Sequence, residues 1–193
     1  MKCLSQVADQ VLVLIDRDGV LIQNVLRPGN VIGSARQLPE VRFIDGSIEA
    51  CKLLRECGFK TAIVTNQPDV SRKIISFQDA HAISNHVKHI CAIDSVFICP
   101  HDAEDNCWCR KPKPGLLLEA IERYKPAHVV MIGDRITDVI AGKLVGAITV
   151  RIDASSSAVP THYAQVNNHS DPDIVCDTLF AAVNELFDLS PVY

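Results

Sequence analysis

Short unbroken apolar runs alternate along the chain with stretches of helical spacing. Val11–Ile15 is continuously apolar and ends at Asp16, the pattern of a strand buried on both faces. Comparable runs over 61–64, 95–98, 129–132 and 147–150 predict four more strands. Between them, Gly46 to Cys57 carries Ile48, Cys51, Leu53 and Leu54 at helical spacing and stops at Gly58. A helix over 77–91 is announced by Ser76 as N-cap with Asp79 three positions on. Gly115 to Tyr124 and Thr137 to Leu144 complete the helical segments. Strands alternating with helices predict an α/β fold, a parallel sheet with helices on both faces and right-handed crossovers. Residues 23–40, with Pro28, Gly29, Gly33 and Pro39, read as a long loop. Residues 153–173 read as a polar surface loop, followed by a C-terminal helix over 174–187. No repeat is visible, so residues 1–193 are expected to form one domain.

In such sheets ligands bind beyond the carboxyl ends of the strands. Asp16, Thr65 and Asp134 each stand just past a predicted strand. In LIDRDGV, Leu14 to Val20, two carboxylates lie two residues apart: Asp16 can attack phosphorus, and Asp18 can serve as acid to the leaving oxygen and then as base to water. Two anions would repel a phosphate dianion, so this chemistry calls for a cation, most simply Mg²⁺. IVTNQ, Ile63 to Gln67, ends its strand in Thr65, Asn66 and Gln67, which can donate to phosphate oxygens. RKPKPG, Arg110 to Gly115, supplies Arg110 and Lys111 as cations. IGDRITD, Ile132 to Asp138, supplies Asp134 as a further Mg²⁺ ligand, Arg135 as a cation near substrate, and Asp138 one turn later to hold a metal-bound water or the lysine. Taken singly, each is an ordinary acidic turn or basic loop; their order along the chain carries the information.

A second constellation is CPHDAEDNCWC, Cys99 to Cys109. Cys99, His101, Cys107 and Cys109 make a tetrahedral Zn²⁺ set with no position left for water, so the metal is expected to be structural. The other cysteines are scattered and read as reduced, buried small hydrophobes. The formal net charge of -4 argues against a nucleic-acid partner. Residues 1–10 lack the apolar stretch of a secretory leader, and no run reaches membrane-spanning length. A soluble, cytoplasmic protein is therefore expected.

The order strand–DxD, strand–T, K, strand–GDxxxD resembles the haloacid dehalogenase (HAD) phosphatases over the first 138 residues. The resemblance implies a Rossmann-like HAD fold, with Asp16 as nucleophile and Asp18 as acid/base. It makes Thr65 and Lys111 the phosphate-stabilising pair, and Asp134 an Mg²⁺ ligand beside Asp16 and the Asp18 carbonyl. Val20 departs from the pattern, where many members have threonine. The CxH…CxC loop followed by RKP resembles a zinc-containing branch that includes heptose 1,7-bisphosphate 7-phosphatases and histidinol-phosphate phosphatases. That branch implies no large cap domain, a zinc-stapled loop, a monomer, and a small phosphate ester as substrate. Phe43–Gly46, TNQ and RKPKPG lean toward a heptose bisphosphate, with Arg72 and Arg110 on the substrate side. Ile22, Ser34 and Pro68–Asp69 depart from the heptose pattern and leave histidinol phosphate as the alternative. A zinc-stapled binding module without catalysis is the reading from another class.

Overall fold

The computed structural model describes residues 8–153 and 170–187. Six strands form one sheet: β1 (Val11–Ile15), β4 (Lys60–Asn66), β5 (Ser95–Cys99), β6 (His128–Gly133), β7 (Ile148–Ile152) and β8 (Ile174–Cys176). Their order is β5-β4-β1-β6-β7-β8, and every neighbouring pair is parallel. The helices are α1 (Ser47–Glu56), α2 (Phe77–Ile90), α3 (Gly115–Tyr124), α4 (Ile136–Leu144) and α5 (Leu179–Phe187).

Successive residues of a strand face opposite sides of its sheet, and β1 shows the result. Val13 and Ile15 join a core with Ala50 and Leu54 of α1, Ile83 and Val87 of α2, and Leu179 and Val183 of α5. Leu12 and Leu14 join a second core with Leu116, Leu117 and Ala120 of α3 and Ala141 of α4. The unbroken apolar runs are thus strands covered on both faces. The chain leaves β1 toward β4 and β5, then crosses back to β6 and continues outward through β7 and β8. The direction reverses between β1 and β6, which opens a crevice at their carboxyl ends. Asp16 lies in that crevice, its N–H donating to the Ile132 carbonyl at 2.9 Å.

The α2 cap forms as its sequence suggests. The Ser76 hydroxyl accepts from the Asp79 N–H at 3.0 Å while the Asp79 carboxylate reaches back to the Ser76 backbone. Two expectations need correction. Within 23–40 the chain forms an antiparallel hairpin, β2 (Val25–Arg27) with β3 (Val31–Gly33), and a 3-10 turn over Leu38–Glu40. Its strands are too short to show a periodicity. The Arg27 guanidinium ties it down, donating to both Glu40 carboxylate oxygens at 2.8 and 2.7 Å and to the Ser34 carbonyl at 2.7 Å. Residues 174–176 are a sixth strand rather than the start of a helix, and α5 begins at Leu179. Three residues are decided by an available edge, here that of β7, more than by local pattern. Residues 154–169 of the expected polar loop lie outside the described residues.

One device recurs at the opposite end of the sheet. The Asp94 carboxylate, just before β5, accepts from the Thr61 N–H (2.8 Å) and hydroxyl (3.1 Å) at the start of β4. Asp173, just before β8, does the same to Thr149 of β7 at 2.8 and 2.9 Å. Each pins the register of an outer strand. Replacing Asp94 by Ala leaves the Thr61 N–H without its acceptor and is expected to cost about 1–3 kcal/mol in denaturant unfolding. Turnover per folded molecule should be unchanged, because Asp94 lies at the far edge from the crevice.

Candidate active site

A cavity of about 240 Å³ opens at the carboxyl ends of the central strands, lined among others by Asp16, Asp18, Thr65, Asn66, Arg72, Arg110, Lys111, Arg135 and Asp138. At its floor Lys111 is only 2% exposed. Its Nζ donates to the Val64 carbonyl at 2.7 Å and lies 3.0 Å from Asp16 Oδ1 and 2.6 Å from Asp138 Oδ1. Burial works against the ammonium, but Asp138 and then Asp16 outweigh it and hold its pKa above the usual lysine value. Asp138, which sequence reasoning offered two roles, is therefore the partner of the lysine. Its other oxygen accepts from the Arg135 N–H at 3.0 Å, closing the first turn of α4.

This packing needs a glycine. A Cβ on Gly133 would stand 2.3 Å from the Asp138 carboxylate. Gly19, with φ +90°, turns the chain back after Asp18, and a Cβ there would meet Asp134 Oδ2 at 2.2 Å. The motif glycines thus make room for carboxylates.

The acids are crowded. Oxygens of Asp16, Asp134 and Asp138 lie within 4.8 Å of one another. Burial, only partly offset by Lys111, pushes Asp16 up to about 7, and the carboxylates of Asp138, Asp134 and Asp18 add to the rise. Burial and Asp138 push Asp134 up to about 6. Asp134 Oδ1 is buried with no hydrogen-bond partner. An orphaned carboxylate oxygen beside a second raised carboxylate is what a hard divalent cation would satisfy, so these residues fit Mg²⁺.

Asp18 is held differently. Its Oδ2 accepts from Arg17 Nε (3.1 Å) and a second Arg17 nitrogen (2.9 Å), from Gln67 Nε2 (2.8 Å) and from the Ser34 hydroxyl (3.2 Å). Gln67 is fully buried and also donates to the Thr65 hydroxyl at 2.9 Å, so it braces two site residues rather than lining the cavity. Asn66 grips the Lys111 backbone, donating to its carbonyl at 3.0 Å and accepting from its N–H at 3.1 Å. Sequence reading passed over Arg17 because it stands between two louder acids.

Cys99, at the end of β5, is grouped with His101, Cys107 and Cys109. Their Sγ and Nδ1 atoms stand 3.2 to 3.7 Å apart along five edges. A Zn–S bond of about 2.3 Å implies tetrahedral edges of about 3.8 Å, so the donors are arranged as a metal site. Burial pushes the Cys99 thiol up, so a cation would have to displace its proton. The loop is stitched to the turn after β4: Gln67 N–H donates to the Cys99 carbonyl at 2.7 Å and Ser71 N–H to the Pro100 carbonyl at 3.0 Å.

At the mouth, Arg72 does not stand free as its spacing suggested. It donates to both Asp102 oxygens at 2.5 and 3.0 Å and lies 3.7 Å from Asp69, which Arg36 also binds at 2.8 Å. Arg110 donates to the His101 carbonyl at 3.1 Å. It forms no ion pair among the described residues. Arg135 is exposed and lies 3.9 Å from Asp134. No helix among the described residues is long and apolar enough to cross a membrane.

Residues 28–146 match the family of haloacid dehalogenase-like hydrolases. The D-glycero-beta-D-manno-heptose-1,7-bisphosphate 7-phosphatase of Pasteurella multocida is 34% identical over 144 residues, 68% of this chain and 74% of that protein. The D-glycero-alpha-D-manno-heptose-1,7-bisphosphate 7-phosphatase of Mycobacterium bovis is 31% identical over 161 residues, 77% of this chain and 82% of that protein. The crystal structure of D,D-heptose 1.7-bisphosphate phosphatase from B. bronchiseptica, complexed with magnesium and phosphate, matches with a TM-score of 0.76 at 25% identity. It covers 92% of this chain and 98% of that one.

The raised acids predict a pH dependence. Between about pH 4 and 7 the folded state holds protons on Asp16 and Asp134 that an unfolded chain, with carboxylates near their usual values, releases. Their contribution to stability is therefore present at the acid end of that window and is lost as pH rises through about 6 to 7. In protein dialysed free of magnesium, the thermal midpoint should fall across this window. Added Mg²⁺ should raise it more at the alkaline end, and Asp134→Asn should shrink both effects.

Proposed function

Because the chain belongs to the haloacid dehalogenase-like hydrolases and is a phosphatase, we propose that it hydrolyses a sugar bisphosphate, a heptose 1,7-bisphosphate best of all, through a phospho-aspartate on Asp16. The observation that carries the chemistry is the contact of Lys111 with Asp16 at 3.0 Å, inside a cavity that Asp18 and Thr65 also line. A carboxylate oxygen of Asp16 attacks phosphorus in line while the bond to the leaving oxygen breaks. Asp18 gives that oxygen a proton and afterwards takes one from the water that cleaves the acyl phosphate. Lys111, with the Thr65 hydroxyl, stabilises the charge on the transferring phosphoryl oxygens. Bound by Asp16, Asp134 and the Asp18 carbonyl, Mg²⁺ would neutralise the repulsion between the acids and the dianion. Zn²⁺ on Cys99, His101, Cys107 and Cys109 would fix the loop that delivers Arg110 and Lys111. The reading treats the chain as one phosphatase domain acting on a small molecule, without a nucleic-acid or membrane partner.

The bisphosphate reading rests on cations beyond the reacting phosphate. Arg110 and Arg135 line the cavity, and guanidinium forks bind phosphate oxygens in pairs. Histidinol phosphate would need an anion for its ammonium. The carboxylates at the mouth, Asp69 and Asp102, are already taken by Arg36 and Arg72.

Three outcomes test this. Asp16→Asn should abolish steady-state turnover with the thermal midpoint retained, because an amide cannot form the acyl phosphate. Zinc should copurify in stoichiometric amount by elemental analysis, and Cys107→Ala should lower both zinc content and thermal stability. For substrate choice, kcat/KM should favour a sugar bisphosphate over its monophosphate and over histidinol phosphate. Arg110→Ala should lose about ten-fold or more of that preference, equivalent to one charge-assisted contact. Arg72→Ala should lose less, since two carboxylates already neutralise Arg72.

A further inference from the structure

Arg17 is fully buried and is not among the residues lining the cavity, yet all its guanidinium nitrogens are committed. Nε and one terminal nitrogen bind Asp18 Oδ2 at 3.1 and 2.9 Å, and that terminal nitrogen also reaches Oδ1 at 3.2 Å. The other donates to the Ser84 hydroxyl of α2 at 2.7 Å, and Ser84 in turn donates to the Ala80 carbonyl at 2.8 Å. Taking an ion pair out of water costs more than packing an apolar side chain of similar volume. Packing alone therefore does not explain an arginine here. The contacts on Asp18 are also unequal. Oδ2 accepts from Arg17, Gln67 and Ser34, whereas among the described residues the only hydrogen bond to Oδ1 is the longer one from Arg17.

We propose that Arg17 is a positioning residue that pins Oδ2 of Asp18, through an anchor on α2, so that Oδ1 is the atom presented to the leaving oxygen and to water. The proposal rests on the reading of Asp18 as the proton-transfer group. The asymmetry suits both halves of that role. In the acid form the proton sits on Oδ1 while Oδ2, now the carbonyl oxygen, still accepts its hydrogen bonds. As the phosphorus–oxygen bond breaks, its electron pair goes to the leaving oxygen, which takes the Oδ1 proton. The carboxylate left behind is the base that takes a proton from the attacking water at the same atom. Because one face of Asp18 stays fixed, neither step requires the side chain to turn.

The test compares kcat/KM for an alkyl phosphate and for p-nitrophenyl phosphate, whose phenolate leaves without a proton. This parameter reports only the steps up to release of the leaving group, so hydrolysis of the acyl phosphate does not enter it. Arg17→Met should lower kcat/KM for the alkyl ester by about ten-fold or more relative to the aryl ester, within the range that a positioned acid contributes. Ser84→Ala, which removes only the anchor, should shift the ratio in the same direction by less. Arg17→Lys should not restore it, since an ammonium cannot fork onto a carboxylate. Asp18→Asn should show the full discrimination, and Arg17→Met in that background should add none. Equal loss for both esters in Arg17→Met, or an unchanged ratio in Ser84→Ala where Arg17→Met does not fold, overturns the proposal. Absence of discrimination in Asp18→Asn itself overturns instead the acid role on which it rests.

Discussion

A buried ammonium must be paired, and Lys111 is paired at the meeting point of three separate stretches of chain. The Val64 carbonyl comes from β4, Asp16 from the end of β1, and Asp138 from the first turn of α4. The surrounding structure serves that contact. Gly133 has no side chain where Asp138 must approach, Asn66 holds the Lys111 backbone on both sides, and the cysteine loop ends immediately before Arg110 and Lys111. Two carboxylates share the ammonium, so losing one still leaves it the other. The lysine is thus a structural bolt between strands as well as a cation aimed at the cavity.

The same crowding sets the demand for a divalent cation. Three crowded acids, Asp16, Asp138 and the half-buried Asp134, share one lysine and leave an excess of negative charge, which raises Asp16 to about 7 and Asp134 to about 6. Asp18 sits in a separate arrangement, with arginine, glutamine and serine donors converging on one oxygen. Adjacent acids of one short motif therefore sit in different electrostatic settings. Differing environments are what allow like groups to take unlike roles.

Around the mouth, ion pairs tie neighbouring loops together. Arg36–Asp69, Asp69–Arg72 and Arg72–Asp102 form a chain from the segment after the hairpin, across the turn after β4, to the cysteine loop. These pairs are partly exposed, so each contributes little alone and weakens with salt. Their effect is on charge distribution. They spend Asp69, Arg72 and Asp102 on one another, while Arg110 and Arg135 line the cavity outside that chain.

The order of strands and helices was legible because a strand covered on both faces has to be apolar throughout, as in Val11–Ile15. The α2 cap was legible because Ser76 and Asp79 act within one turn of chain. Asp16, Thr65 and Asp134 could be picked out because each stands at the carboxyl end of a strand that its neighbours mark, Lys111 because it stands just before a helix, and the cysteine set because its donors lie within eleven residues. The hairpin over 25–33 and the strand at 174–176 were not, since segments of three residues take their conformation from an edge or a tether elsewhere in the chain. Nor could the sequence assign Asp138 to the lysine, bind Gln67 to Asp18, neutralise Arg72 or bury Arg17. Those outcomes depend on distances between residues 27 to 67 positions apart in sequence, as with Arg72 and Asp102, Gln67 and Asp18, or Arg17 and Ser84. Local pattern fixes which groups exist at the strand ends. Which of them meet is decided only when the sheet brings those ends together and burial makes every unpaired charge costly.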